Sequence, residues 1–351
     1  MEVLLLGGTG AMGVPLVTLL SKQEDVTIYV TSRTDKDSLG NVNYIKGNAK
    51  DYGFLESLLN KHYDAIIDFL VYSSNDFKKR LPIILEHTDQ YFFFSSARCY
   101  AESNGLITEE SPRLIDVCKD EEYLATDEYG LAKGREENIL RSCGSSNWTI
   151  IRPYITYNSN RIQLGVYEKE NWLRRALEER TVIFPADIAD SLTSLTYGPD
   201  VAKVITLLIG NEKAYGETFH ITTSETHTWR EICEFYVSEI EKITGNKIKV
   251  MFPDNSEGLQ KVWNPWQIKY DRLFDRTFDN SKIKSVIGEF EFQATFLGLS
   301  KCLKEFLASP QWLTMNWRYE AWCDGQSKEF TPLYKIKGAR EKIRYLKWRF
   351  I

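Results

Sequence analysis

Tyr129 and Lys133, in the run Tyr129-Gly130-Leu131-Ala132-Lys133, are the residues best suited to chemistry by type and spacing. Residues four apart share one face of a helix. An ammonium beside a phenol favours the phenolate, so the lysine lowers a pKa that is ordinarily about 10. A tyrosine tuned in this way moves protons near neutral pH, and such help contributes about 10²–10⁴-fold in rate. Taken alone, the pair is also what two surface neighbours on a helix look like. A third group raises its interest. Tyr91–Phe94 reads as a buried strand, and Ser95-Ser96 stands at its carboxyl end, where open α/β sheets bind their ligands. Ser96 can there hydrogen-bond a substrate oxygen that Tyr129 protonates. The plainer reading of the serine pair is a polar turn.

A second constellation is Gly7-Gly8-Thr9-Gly10-Ala11-Met12-Gly13, a GxxGxxG loop between a short apolar run, Val3–Leu6, and a helical stretch, Ala11–Ser21. Gly7 permits the tight turn, Gly10 the approach of a pyrophosphate, and Gly13 the packing of helix on strand. Free N–H groups and the positive helix end then face the phosphates. The loop predicts a bound nicotinamide dinucleotide, whose ribose Lys133 can hold. An NAD site usually places an acid at the end of the second strand. Here Thr31 stands there, followed by Ser32 and Arg33, and an arginine can pair with a 2′-phosphate. The expected cofactor is NADP or NAD, with NADP favoured, although Asp35 close by weakens that preference and Arg33 is otherwise a solvated loop residue.

These groups need elements to carry them. Val26–Thr31, Asn43–Lys46, Ala65–Leu70, Tyr91–Phe94 and Trp148–Arg152 read as strands after Val3–Leu6, separated by helical stretches at 11–21, 51–62 and 80–87, the last with Pro82 near its start. Continuous apolar strands alternating with amphipathic helices mean a parallel sheet covered on both faces. The fold expected is a Rossmann-like doubly wound α/β sheet with a smaller, interleaved C-terminal α/β region. The 1–155 stretch forms the nucleotide-binding domain, with 198–222 returning to it; 156–310 is mainly substrate-binding; 311–351 is an extension rich in tryptophan and basic residues. Helices are expected at 168–179, 198–209 and 229–244, and a strand at 218–222.

Composition sets outer bounds. The chain has 351 residues, 43% hydrophobic and 26% charged, which excludes disorder as its main state. A net charge of −5 argues against a broad nucleic-acid-binding face. Six cysteines form no CxxC pair and four histidines no metal-ligand cluster, so no metal site is predicted. No apolar run is long enough to span a membrane, and MEVLLLGG is not a secretory leader. A reduced, cytoplasmic setting is the natural expectation.

Taken in order, GGTGAMG at 7–13, SSARCY at 95–100, YGLAK at 129–133 and IIRPYITY at 150–157 resemble the extended short-chain dehydrogenases/reductases of the sugar-nucleotide epimerase/dehydratase group. DVAKVI at 200–205 and FDNSKIKSVIG at 278–288 resemble later landmarks of the same group, so the likeness runs over about residues 1–310. It implies Ser96, Tyr129 and Lys133 as the catalytic residues. It also implies a nicotinamide nucleotide held by Gly7, Thr9, Gly10, Ala11, Met12, Gly13, Ser32, Arg33, Asn48, Leu70, Tyr129, Lys133 and Pro153. The activity implied is an NAD(P)-dependent epimerase or 4-ketoreductase acting on a nucleotide-linked sugar, with a homodimer as the usual assembly. The chain also departs from the pattern. Ala97-Arg98-Cys99 lacks the acids of the 4,6-dehydratases, which disfavours that reaction. Ile155-Thr156 replaces an asparagine that many 4-epimerases carry. An atypical branch resembles plant RNA-binding members of the fold, so a non-catalytic nucleotide-sensing or RNA-binding protein is the alternative, as is a reductase of another small carbonyl compound.

Tyr154, Tyr157, Asn158 and Arg161 follow the last strand and, with Ser96, are the candidate substrate contacts; Arg98, Arg174, Arg175 and Arg272 are further cations for a diphosphate. Trp263-Asn264-Pro265-Trp266 is an aromatic loop able to stack on a base or sugar, or to pack a core. Beyond residue 310, Trp312, Trp317 and Trp322 recur every five residues, which matches neither helix nor strand. The tail from Lys335 is basic and apolar by turns. It fits either an anionic membrane surface or, as the favoured reading, packing within the protein.

Overall fold

The computed structural model describes residues 1–350. The chain divides into two units, each assembled from three segments: residues 1–156, 194–224 and 278–293 form the first, and 157–193, 225–277 and 294 onward form the second.

The first unit is built on seven parallel strands: β1 (Glu2–Leu6), β2 (Thr27–Ser32), β3 (Val42–Lys46), β4 (Tyr63–Asp68), β5 (Thr88–Phe94), β6 (Trp148–Pro153) and β7 (Glu217–Ile221). Their order across the sheet is β7-β6-β5-β4-β1-β2-β3. The order reverses between β1 and β4, the switch point at which such sheets bind ligands. Because side chains alternate across a strand, β1 feeds both cores. Val3 and Leu5 join Ile28, Val30, Ile67 and Phe92 under helices Gly13–Leu20 and Gly198–Leu208. Leu4 and Leu6 join Ile66, Tyr91 and Phe93 under helices Tyr52–Leu58, Ser74–Glu86 and Tyr129–Arg141. The doubly wound parallel sheet expected from the sequence is therefore the fold observed.

Two expected helices differ. The helix expected at 80–87 starts at Ser74 and takes Pro82 into its interior. The Ser73 hydroxyl accepts the Asp76 N–H at 3.2 Å, an N-cap that outweighs the proline as a start signal. The helix expected at 168–179 shrinks to Leu173–Leu177, because Lys169 and Glu170 turn inward as a buried ion pair at 2.7 Å.

In the second unit, helix Trp229–Thr244 opens with a capping box between Thr228 and Glu231 and closes on Gly245 at φ 76°. Its Tyr236 ring lies 4.7 Å from that of Trp172. Helices Trp317–Ser327 and Ala339–Arg349 pack through Trp317, Ala321, Ile336 and Tyr345. Arg175 is buried and holds Glu320 at 2.8 Å and Asp324 at 2.9 Å, with Glu329 at 2.9 Å. The Tyr345 hydroxyl donates to Asp324 at 2.6 Å. The basic tail is thus fastened by a buried charge cluster. Trp317 and Trp322 ride one helix while Trp312 precedes it, so a five-residue spacing has no helical meaning there. No helix among the described residues is long and apolar enough to cross a membrane.

Candidate active site

At the carboxyl end of β1, Gly7 adopts φ +75°, and its N–H donates to the Thr31 hydroxyl at 2.9 Å. Thr31 is buried and serves the loop's own geometry. A Cβ on Gly13 would stand 2.5 Å from the backbone of Gly8, and one on Gly7 would stand 2.6 Å from the Leu70 side chain. The fold itself therefore needs both glycines. A Cβ on Gly10 would meet nothing within 4 Å, so packing does not explain that glycine. Open space before Gly10 and the absence of acids from the first turn of helix Gly13–Leu20 suit a diphosphate. Ala11 and Met12 complete the turn into that helix, with Thr9 exposed on the loop. The residues fit a dinucleotide.

At the end of β2, Ser32 is buried and Arg33 exposed. Asp35, the acid that weakened the case for a 2′-phosphate, lies 2.5 Å from the Lys46 ammonium. Asn48 accepts the Lys50 N–H at 3.2 Å. Leu70 packs on Gly7, just past β4.

The serine pair divides its roles. Ser95 donates to Glu137 at 2.5 Å and is structural. Ser96 caps the turn Ala97–Cys99 by accepting the Arg98 N–H at 3.2 Å and keeps its own proton to give. Helix Tyr129–Arg141 reaches this turn because residue 130 is glycine: a Cβ there would stand 2.9 Å from the Arg98 carbonyl. The Tyr129 ring is flanked by two cations, the Arg98 guanidinium at 5.1 Å and the Lys133 ammonium at 5.9 Å from its centroid. Arg98 also pairs with Glu128 at 2.7 Å, the residue that caps this helix, so its place is beside the tyrosine.

Beneath these residues lies a buried network that spacing alone did not reveal. Glu137 pairs with Arg152 at 2.6 Å and with Arg113 at 3.1 Å. The two guanidiniums and the Ser95 hydroxyl hold its carboxyl below the ordinary range despite burial. Lys133 is itself buried and pairs with Glu136 at 2.8 Å. Asp68, at the end of β4, accepts the Leu70 N–H at 2.9 Å and the Tyr91 hydroxyl at 3.0 Å. Burial pushes its pKa up to about 6, and the nearby Lys133 charge opposes the rise. A sequence signal existed: Glu136 and Glu137 stand one turn after Lys133.

The remaining candidates follow β6 or belong to the second unit. Pro153 ends β6 beside Ile221 of β7. The Tyr154 ring is buried, 5.4 Å from Phe278. In the second unit, Tyr157 is buried and donates to the Thr295 carbonyl at 3.4 Å. Asn158 accepts the Asn160 and Arg161 N–H groups, each at 2.9 Å, and Arg161 lies 3.4 Å from Glu168. Arg175 and Arg272, read as cations for a diphosphate, are buried, Arg175 in the ion cluster above and Arg272 donating to the Gly165 carbonyl at 2.9 Å. Arg174 lies 3.3 Å from Glu178. Among the described residues, no group of three or more His, Cys, Asp or Glu is placed to hold a metal ion.

No family model matches the chain. The chloroplast stem-loop binding protein of 41 kDa b from Arabidopsis thaliana is 26% identical over 240 residues, covering 63% of this chain and 58% of that protein. The chain thus matches less than two thirds of that relative's length. Two solved structures share its architecture. The dTDP-glucose 4,6-dehydratase of Bacillus anthracis, in complex with NAD, superposes with a TM-score of 0.66 at 17% identity, covering 89% of this chain and 98% of that one. The UDP-glucuronic acid 4-epimerase of Bacillus cereus, in complex with UDP-glucuronic acid and NAD, gives 0.65 at 15% identity, covering 87% and 100%. The chain shares the Rossmann-like α/β fold of these two structures.

Proposed function

We propose that this chain is a nicotinamide-dependent enzyme of nucleotide-linked sugars, working as an epimerase or a 4-ketoreductase. The observation that carries this reading is a tyrosine ring with two cations within 6 Å, one of them Arg98 on the turn that Ser96 caps, in the unit that also holds a glycine loop open before Gly10. When bound, the dinucleotide supplies the hydride donor or acceptor. Tyr129 takes or returns the proton of a sugar hydroxyl. Ser96 donates a hydrogen bond to the same oxygen. Lys133 and Arg98 place positive charge near the Tyr129 ring. Gly7, Gly10 and Gly13 shape the diphosphate turn, and Arg33 recognises a 2′-phosphate, which favours NADP. The solved structures of this fold in complex with UDP-sugars and NAD support the substrate class. The reaction is not a 4,6-dehydration in this reading, because residues 97–99 carry no acid.

The test is mass spectrometry of small molecules released on denaturing the purified protein, followed by titration with NAD and NADP. A dinucleotide retained with a nucleotide sugar supports epimerisation. A site refilled best by NADPH supports a reductase, and Arg33→Ala then removes the preference. Tyr129→Phe retains cofactor binding and loses turnover by about 10²-fold or more. A protein that binds neither dinucleotide refutes the reading. The name of the Arabidopsis relative favours one other, a stem-loop RNA binder. That reading requires RNA affinity that falls steeply with salt.

A further inference from the structure

Lys133 is surrounded by more negative charge than one ammonium can balance. Its Nζ pairs with Glu136 at 2.8 Å in the same helix, and both side chains are almost wholly buried. The second Glu136 oxygen, Oε1, is buried with no hydrogen-bond partner. Asp68, from β4, acts on the same pair: Lys133 steadies the Asp68 carboxylate, and Asp68 disfavours ionisation of Glu136. The other charged and titratable groups facing this pocket are Tyr91 on β5, Tyr72 after β4, and Asp127 before helix Tyr129–Arg141. Arg80, on helix Ser74–Glu86, lies 5.0 Å over the Tyr72 ring and donates to the Lys50 carbonyl. One buried cation thus stands among two buried acids, and it also lies 4.6 Å over the Phe93 ring.

We propose that Glu136 is a positioning residue for Lys133: with Asp68 behind it, its carboxylate holds the ammonium in a buried ion pair and limits how much of that charge reaches Tyr129 and a bound ribose. This rests on the function proposed above. Glu136 acts only through Lys133, so neutralising it releases the ammonium to the ribose hydroxyls. The orphaned Oε1 fits this role, since Glu136 makes its hydrogen bond to Lys133 through Oε2. An isosteric Glu136→Gln change leaves the packing and removes the grip.

The experiment is calorimetric titration of the full-length protein with NAD⁺ at pH 8, comparing wild type, E136Q, E136D and K133M/E136Q. E136Q is expected to bind NAD⁺ about three- to tenfold more tightly, the effect of one hydrogen bond of ordinary net strength regained. E136D keeps the charge but not the shape, and is expected to stay within about twofold of wild type, the reverse of what a packing role predicts. K133M/E136Q is expected to lose the gain. D68N, which removes the second acid, moves affinity the same way as E136Q and serves where E136Q does not fold. Wild-type affinity in both E136Q and D68N, or a gain that survives without Lys133, overturns the proposal. Failure of the wild-type protein to bind either NAD or NADP overturns the proposed function itself, and with it any role for Lys133 toward a ribose.

Discussion

Replacing Asp68 by Asn is expected to make the protein more stable at neutral pH, although it alters a buried group with two hydrogen bonds. Burial raises the Asp68 pKa from 3.8 to about 6, against the pull of the Leu70 N–H, the Tyr91 hydroxyl and Lys133. The unfolded chain keeps the ordinary value. The folded state therefore binds this proton more tightly, and its ionised form is the costly one. Below about pH 4 both states are protonated and Asp68 costs nothing. As pH rises through 6 the cost becomes complete, at about 1.4 kcal/mol for each tenfold difference in proton affinity between folded and unfolded chain, or about 3 kcal/mol in all. Asparagine mimics the protonated acid: its Oδ1 accepts from Leu70, and the Tyr91 hydroxyl turns to accept from its amide. Urea unfolding followed by circular dichroism at pH 8 and pH 4.5 measures the difference. The expected result is D68N more stable by up to about 3 kcal/mol at pH 8, with the gain shrinking to about 1 kcal/mol at pH 4.5. A D68N protein less stable than wild type at pH 8, or one whose advantage does not change with pH, refutes the reasoning.

Two glycines of one loop should respond in opposite ways. Gly10→Ala meets no atom within 4 Å, so stability is expected to stay within about 0.5 kcal/mol of wild type while dinucleotide affinity falls. Gly13→Ala drives a Cβ into the Gly8 backbone, and thermal melting should show a clear loss of stability. Arg175→Met leaves the buried Glu320 and Asp324 to share Arg180, and is expected to cost about 3 kcal/mol by chemical denaturation.

The sheet was legible because its signals are local. Val3–Leu6, Ala65–Ile67 and Tyr91–Phe94 are unbroken apolar runs, and strands covered on both faces need that pattern. The loop at Gly7–Gly13 was legible because each glycine answers a separate backbone demand. Tyr129, Lys133 and Ser96 could be named from spacing, but their surroundings could not. Glu136 and Glu137 are both fully buried, which a pair of adjacent acids on a helix does not announce. What buries Glu137 is Arg152 from β6 and Arg113 from a distant loop, and what stands behind Glu136 is Asp68 from β4; helix periodicity carries no trace of either. Arg175 misled for the same reason. An arginine in a basic pair suggests an anion site, but its acids, Glu320 and Asp324, lie far along the chain, in the extension where the family resemblance ends.

The threading of the first unit constrains how the molecule is born. When residue 156 has been synthesised, six of the seven strands exist, but one face of the sheet still lacks Val201, Val204, Ile205, Leu208 and Phe219. Those arrive only with the second segment, and Ile283 of the same core only with the third. At ribosomal speeds of about 5–20 residues per second, the apolar face waits on the order of ten seconds for its cover. A nascent chain of this protein is therefore a ready client for chaperones that shield exposed apolar sheet, and a truncation at the apparent domain boundary would preserve that vulnerable state instead of releasing an independent domain.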